Sequence, residues 1–82
     1  MEKDQILSEL NILLRELFRN PSINVTEETR SSDIEEWDSL NHALLVAKVE
    51  KHFGVKFKLA EMMTFKVVGN ICDTVYKKLM LK

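Results

Sequence analysis

The chain has 82 residues, which fits one domain over 1–82. A chain this short buries only about 60–65% of the surface it exposes when unfolded, so one modest core is expected. Hydrophobic residues are 45% and charged residues 30%, and twelve basic against thirteen acidic side chains leave a net charge of −1, which excludes a disordered chain and gives nothing to attract nucleic acid or an anionic membrane.

A single cysteine excludes an internal disulfide and a cysteine-based zinc site. Two glycines and one proline disfavour β-sandwiches and Gly-rich phosphate loops. The opening Met1-Glu2-Lys3-Asp4-Gln5 is charged and lacks the form of a targeting signal, and no apolar run approaches the ~20 residues that cross a bilayer, so a cytoplasmic location is expected. Without a secretory signal, the sequon Asn24-Val25-Thr26 reads as chance.

Ile6, Leu7, Leu10, Leu13, Leu14, Leu17 and Phe18 recur at three- and four-residue steps, which predicts an amphipathic helix from about residue 3 to about residue 19. Asn20-Pro21 should stop it, because proline restricts the residue before it and has no N–H to donate. Residues 20 to 38 lack helical periodicity and predict a long polar loop, pinned by Ile23, Val25 and Ile34, with a short helical turn around Asp33 to Glu36. The second helix should open at Trp37-Asp38-Ser39-Leu40, run from Ser39 to about Phe53 and end at Gly54, a residue suited to a left-handed cap.

At 100° per residue that helix has two apolar sides. Leu45, Val46, Val49 and Phe53 lie on one, with His42 among them, and Leu40, Ala43, Leu44 and Ala47 lie on the other. A helix in a small bundle needs one apolar face for its own core, so the second face is free for a partner. Val55 to Lys58 reads as a connector, Leu59 to Met63 as one short helix, and Val68, Ile71, Cys72, Val75, Tyr76 and Leu79 as the stripe of a last helix from about Val67 to Leu81. Lys77, Lys78 and Lys82 read as its solvated end, where cations favour the helix dipole. The expectation is an all-α bundle of three main helices plus one short helix, with a long loop between the first two.

No catalytic constellation stands out. Ser39 and His42 are one helical turn apart, but no carboxylate is placed to orient the histidine, and His42 and His52 lack metal-ligand spacing. Glu27-Glu28 and Glu35-Glu36 read as solvated loop charge. His42 is expected as a hydrogen-bonded structural residue, Trp37 as a loop anchor and Cys72 as a buried inert thiol. Met62 and Met63 read as core or lid fillers, with the lining of a cavity as the alternative.

Asp38-Ser39-Leu40 stands where the long loop meets a helix with two apolar faces. With the first helix, the segment Lys51-His52-Phe53-Gly54 and the last helix opening Val68-Gly69-Asn70, it resembles the acyl carrier protein family over nearly the whole chain. The resemblance implies an acyl-carrier-like bundle with no catalytic activity of its own. It implies a 4′-phosphopantetheine arm on Ser39, donated by coenzyme A, whose thiol holds acyl groups as thioesters. It also implies partner contacts at Asp38, Leu40, Ala43, Leu44, Ala47, Glu50 and Lys51. The implied partners are a phosphopantetheinyl transferase, a loading ligase or acyltransferase, and downstream acyl-using enzymes, with the chain a monomer.

Fatty-acid carriers of that family usually have a strongly acidic second helix, whereas this one carries Lys48, Lys51 and Asn41 with Glu50 as its only acid. That difference points to a specialised free-standing carrier. Val67 and Asn70 replace a capping Thr and an Asp common in the family, which should weaken the start of the last helix by about 1 kcal/mol. Two other readings stay open: an aminoacyl or peptidyl carrier, and an unmodified interaction module in which Ser39 is only a helix cap or first-turn residue.

Overall fold

The structure is a computed structural model that describes residues 1–81; Lys82, grouped above with the terminal lysines, lies outside them. The chain runs through α1 (Lys3–Phe18), a 3₁₀ turn (Ser31–Asp33), α2 (Ser39–Phe53), α3 (Leu59–Met62) and α4 (Val68–Met80). Helix α1 packs against both α2 and α4. The apolar stripes of all three supply the core, with Ile6, Leu10, Leu14, Leu45, Val49, Val68, Ile71 and Val75 almost fully enclosed. The all-α arrangement of three main helices and one short one is the one expected.

Local chemistry sets the helix ends. The Glu2 N–H donates to Gln5 Oε1 at 3.1 Å, occupying one backbone donor where α1 begins. α1 stops at Phe18 because Arg19 turns left-handed, with φ 53°, and the Asn20 N–H closes back onto the Arg15 carbonyl at 3.1 Å. The stop at Phe18 therefore comes three residues before Pro21. Gly54, with φ 68°, ends α2 where expected.

The long loop is held at both edges. Asn11, the one buried polar residue among those described, bonds both backbone groups of Val25, and Arg15 Nε donates to the Ile23 carbonyl at 2.6 Å. Ile23 and Val25 are buried and Ile34 partly so. The regular turn is at Ser31–Asp33 rather than Asp33 to Glu36, where bonds from the Trp37 N–H to the Ile34 carbonyl and from the Asp38 N–H to the Glu36 carbonyl, each 3.1 Å, bend the chain. Glu36 is not simply solvated, since its Oε2 accepts from Asn20 Nδ2 at 3.0 Å.

On the far side, the carbonyls of Thr29 and Glu27 accept from the N–H groups of Val68 and Gly69, each at 2.8 Å. No side chain caps α4, but the loop backbone satisfies two of its free donors, so the missing Thr at Val67 is offset. A bridge between Arg30 and Val67 continues this seam.

One further expectation needs correction, and one core residue carried no expectation at all. Lys78 is not a solvated terminal charge: it meets Glu61 at 2.9 Å and lies over the Phe57 ring. Phe65, just after α3, is an enclosed core ring packed edge-on against Phe57 at 5.0 Å, a place its polar surroundings in sequence did not suggest. No described helix is long and apolar enough to cross a membrane.

Candidate functional site

Asp38, in extended backbone, is the cap of α2. Its Oδ1 accepts from the Asn41 N–H and its carbonyl from the His42 N–H, both at 2.8 Å. Ser39 is thus the first residue of the helix and not its cap. Its side chain is exposed, and its hydroxyl meets no partner among the described residues. The N–H groups of Ser39 and Leu40 likewise find no acceptor there, as expected for donors in a first helical turn. A bare hydroxyl beside two free N–H groups at the positive end of a helix suits a phosphate ester.

The preceding loop is locked against the start of α2. Asn41 Nδ2 donates to the Glu36 carbonyl at 2.7 Å, and Trp37 Nε1 donates to His42 Nδ1 at 3.0 Å. Trp37 is 8% exposed and wedged between the rings of Phe18 and His42, which makes it the expected anchor. His42 is hydrogen-bonded through Nδ1, as its position suggested. His52 is elsewhere, paired with Glu9 of α1 at 2.6 Å.

Beside Ser39 a cleft of about 700 Å³ opens between α2 and α3. Trp37, Val46, Met62 and Phe65 give it apolar walls, and Leu59 and Met63 lie at its exposed rim. Met62 is partly buried and packs against the core as expected, Met63 is 69% exposed, and both line this cleft. The walls come from segments distant in sequence, which is why only the two methionines gave any local hint of it.

The outer face of α2 is open. Leu40 is 70% and Leu44 46% exposed, with Ala43 and Ala47 exposed beside them, and the loop does not cover them. Lys51 is also exposed. Glu50 is half-buried, and its Oε2 accepts from the Phe57 N–H at 2.8 Å, so it holds the connector after α2 in place.

A helical bundle that displays one unpartnered serine at a helix start, next to an apolar cleft and an uncovered apolar face, has the architecture of a carrier. The phosphopantetheine attachment site family matches residues 30–75. An acyl carrier protein of Thermotoga maritima is 32% identical over 77 residues, covering 94% of this chain and 95% of that protein. The solution structure of a holo acyl carrier protein from Geobacter metallireducens superposes with a TM-score of 0.86 at 41% identity, over 92% of this chain and 86% of that one. The chain belongs to the acyl carrier protein family. It is a carrier of acyl groups with a phosphopantetheine prosthetic group, and it works by interacting with partner enzymes.

Proposed function

We propose that Ser39 is the residue that bears the 4′-phosphopantetheine arm, and that the chain contributes tethering and presentation while catalysis belongs to its partners. The observation that carries this reading is the exposed, unpartnered Ser39 hydroxyl at the first turn of α2. Asp38 fixes the backbone on which that hydroxyl stands through its bond to the Asn41 N–H. In the attachment step a transferase removes the Ser39 proton, Oγ bonds to the phosphorus of coenzyme A that carries pantetheine, and the adenosine bisphosphate leaves. The first-turn N–H groups and the helix dipole then favour the phosphodiester charge beside Ser39.

When bound, the group supplies a thiol on a flexible arm that holds an acyl group as a thioester. Leu40, Ala43, Leu44 and Ala47 offer the transferase, a loading ligase or acyltransferase and the acyl-using enzyme one common apolar landing surface, with Asp38, Glu50 and Lys51 at its margins. The mixed charge of α2, with Lys48 and Lys51 against Glu50, fits a dedicated pathway better than an enzyme set that recognises a strongly acidic helix. A cytoplasmic monomer is the state we assign it.

Intact mass, before and after incubation with coenzyme A, magnesium and a broad-specificity phosphopantetheinyl transferase, tests the assignment. The natural chain should gain one phosphopantetheinyl mass and Ser39→Ala none, with unchanged helical circular dichroism. A gain by the Ala variant would move the site to another residue. No gain by the folded natural chain would favour an interaction module built on Leu44.

A further inference from the structure

We propose that His42 is a cargo-selecting residue, whose Nε2–H donates to an oxygen of the acyl group and so favours hydroxy-, keto- or carboxyacyl chains over plain alkyl chains. This rests on Ser39 as the attachment point, and it names the class of cargo for that same site.

The tautomer of His42 follows from its neighbour. An indole nitrogen only donates, so the 3.0 Å bond from Trp37 Nε1 requires a lone pair on His42 Nδ1. A neutral imidazole that accepts at Nδ1 carries its proton on Nε2. Trp37 cannot easily release this hold, since it is 8% exposed, set against Phe18 at 6.0 Å and inclined only 26° to the His42 ring. Phe65 stands against the histidine from another side, at 6.5 Å. The ring is fixed in both orientation and tautomer.

Nε2 is left without an acceptor among the described residues. No buried side-chain nitrogen or oxygen there lacks a partner, so Nε2 is an accessible donor and not an enclosed one. His42 forms part of the wall of the cleft beside Ser39, where its neighbours Val46, Met62 and Phe65 are apolar. In a mainly apolar cleft, a few fixed donors determine the orientation and identity of what binds. Lys66, exposed at the same cleft, adds an ammonium that would favour a carboxylate. Ser39 and His42 line the same cleft, so an arm tethered at Ser39 offers the acyl group at its end to that cleft at high effective concentration.

The test loads the natural chain, His42→Phe and His42→Gln from butyryl-, 3-hydroxybutyryl- and succinyl-coenzyme A with a broad-specificity transferase, and confirms each by intact mass. The chain has one tryptophan, so its indole N–H gives a single resonance that reports on the Trp37–His42 bond. With each rate taken relative to that of the same acyl group on free coenzyme A, the two oxygenated cargoes in the natural chain should shift that resonance relative to butyryl and slow thioester cleavage by hydroxylamine about three- to tenfold, the range of one modest hydrogen bond. His42→Phe should abolish the difference in cleavage, and His42→Gln, which keeps a donor, should restore part of it. A slower succinyl than 3-hydroxybutyryl cleavage would assign the preferred oxygen to a carboxylate met by Lys66. Equal resonances and equal cleavage for all three cargoes in the natural chain would overturn the proposal while leaving Ser39 as the attachment point. Failure of the folded natural chain to gain any arm would overturn both. If His42→Phe fails to fold, the natural chain and His42→Gln still decide.

Discussion

Asn11 and Val25 form a two-way clasp between α1 and the long loop. Val25 donates its N–H to Asn11 Oδ1 at 2.7 Å and accepts from Asn11 Nδ2 at 3.1 Å, while the same Nδ2 also reaches the Leu7 carbonyl at 3.1 Å. The amide does for Val25 what a neighbouring strand would do. Asn11→Ala leaves a buried N–H and a buried carbonyl unmatched, and each such group costs about 1–3 kcal/mol. Urea denaturation should show a loss of about 2–4 kcal/mol, large for a domain of this size. A loss of only a few tenths would mean that water replaces the amide.

Why some features were legible and others were not follows from where their partners lie. The bounds of α2 depend on Asp38 and Gly54, each acting on its own neighbours, so the sequence displays them directly. The two-faced pattern of that helix is also local, and it located the exposed Leu40 and Leu44. Asn11 is different: it occupies a gap between Leu7 and Leu14 in the apolar stripe, and that gap signals a buried amide only once Val25 is known to face it. The caps of α4 are invisible in the same way, because the carbonyls of Glu27 and Thr29 belong to backbone and carry no residue signature. The cleft beside Ser39 needs α3 and Phe65 folded back over α2, a tertiary fact with only Met62 and Met63 as a trace.

Gly69 is a point where α4 approaches the loop closely. A Cβ there would stand 2.8 Å from the Glu27 carbonyl oxygen, a backbone atom that already accepts the Gly69 N–H. Alanine is ordinarily better than glycine inside a helix by about 1 kcal/mol. Here the overlap is with backbone and cannot be relieved by a rotamer change, so strain of about 1–3 kcal/mol should exceed that gain. Gly69→Ala should lower the thermal midpoint and speed amide exchange at Val68 and Gly69. An increase in the midpoint would show that the Glu27 turn yields freely.

Glu61 holds the four-residue α3 onto α4. Its Oε1 accepts from the Lys58 N–H at 2.7 Å and from Lys78 Nζ at 2.9 Å. The Lys58 N–H, and next the Lys78 ammonium, hold the Glu61 carboxyl below its ordinary value of 4.5. A lowered carboxylate stabilises the folded form above that ordinary value, and the contribution is lost as pH falls through the folded value. Glu61→Gln keeps an acceptor for Lys58 but loses the ion pair. Amide exchange around α3 should quicken while the global melting point hardly moves, because a single solvent-screened pair at the surface contributes little. Unchanged exchange in α3 would assign its order to packing of Met62 and Phe65 alone.

Cys72 gives the last prediction, through its burial in the stripe of α4. The side chain is inaccessible, and burial pushes its thiol up from 9.0 to about 12, with the charges of Glu27 and Asp73 adding to the rise. A buried thiol that resists ionisation is a poor nucleophile, so the native protein should not react with an aromatic disulfide at pH 8, whereas the unfolded chain should titrate one thiol. The same shift fixes a pH window. Below about 9 both folded and unfolded forms hold the proton, and the contribution is constant; between 9.0 and about 12 the unfolded thiol ionises and the folded one does not, so stability falls as pH rises. Cys72→Ala removes that window while leaving a small cavity. The variant should be less stable than the natural chain at pH 7, and the gap should narrow as the pH is raised through 9 in paired urea titrations. A gap that stays constant through that range would mean that Cys72 ionises in the folded chain as readily as in the unfolded one.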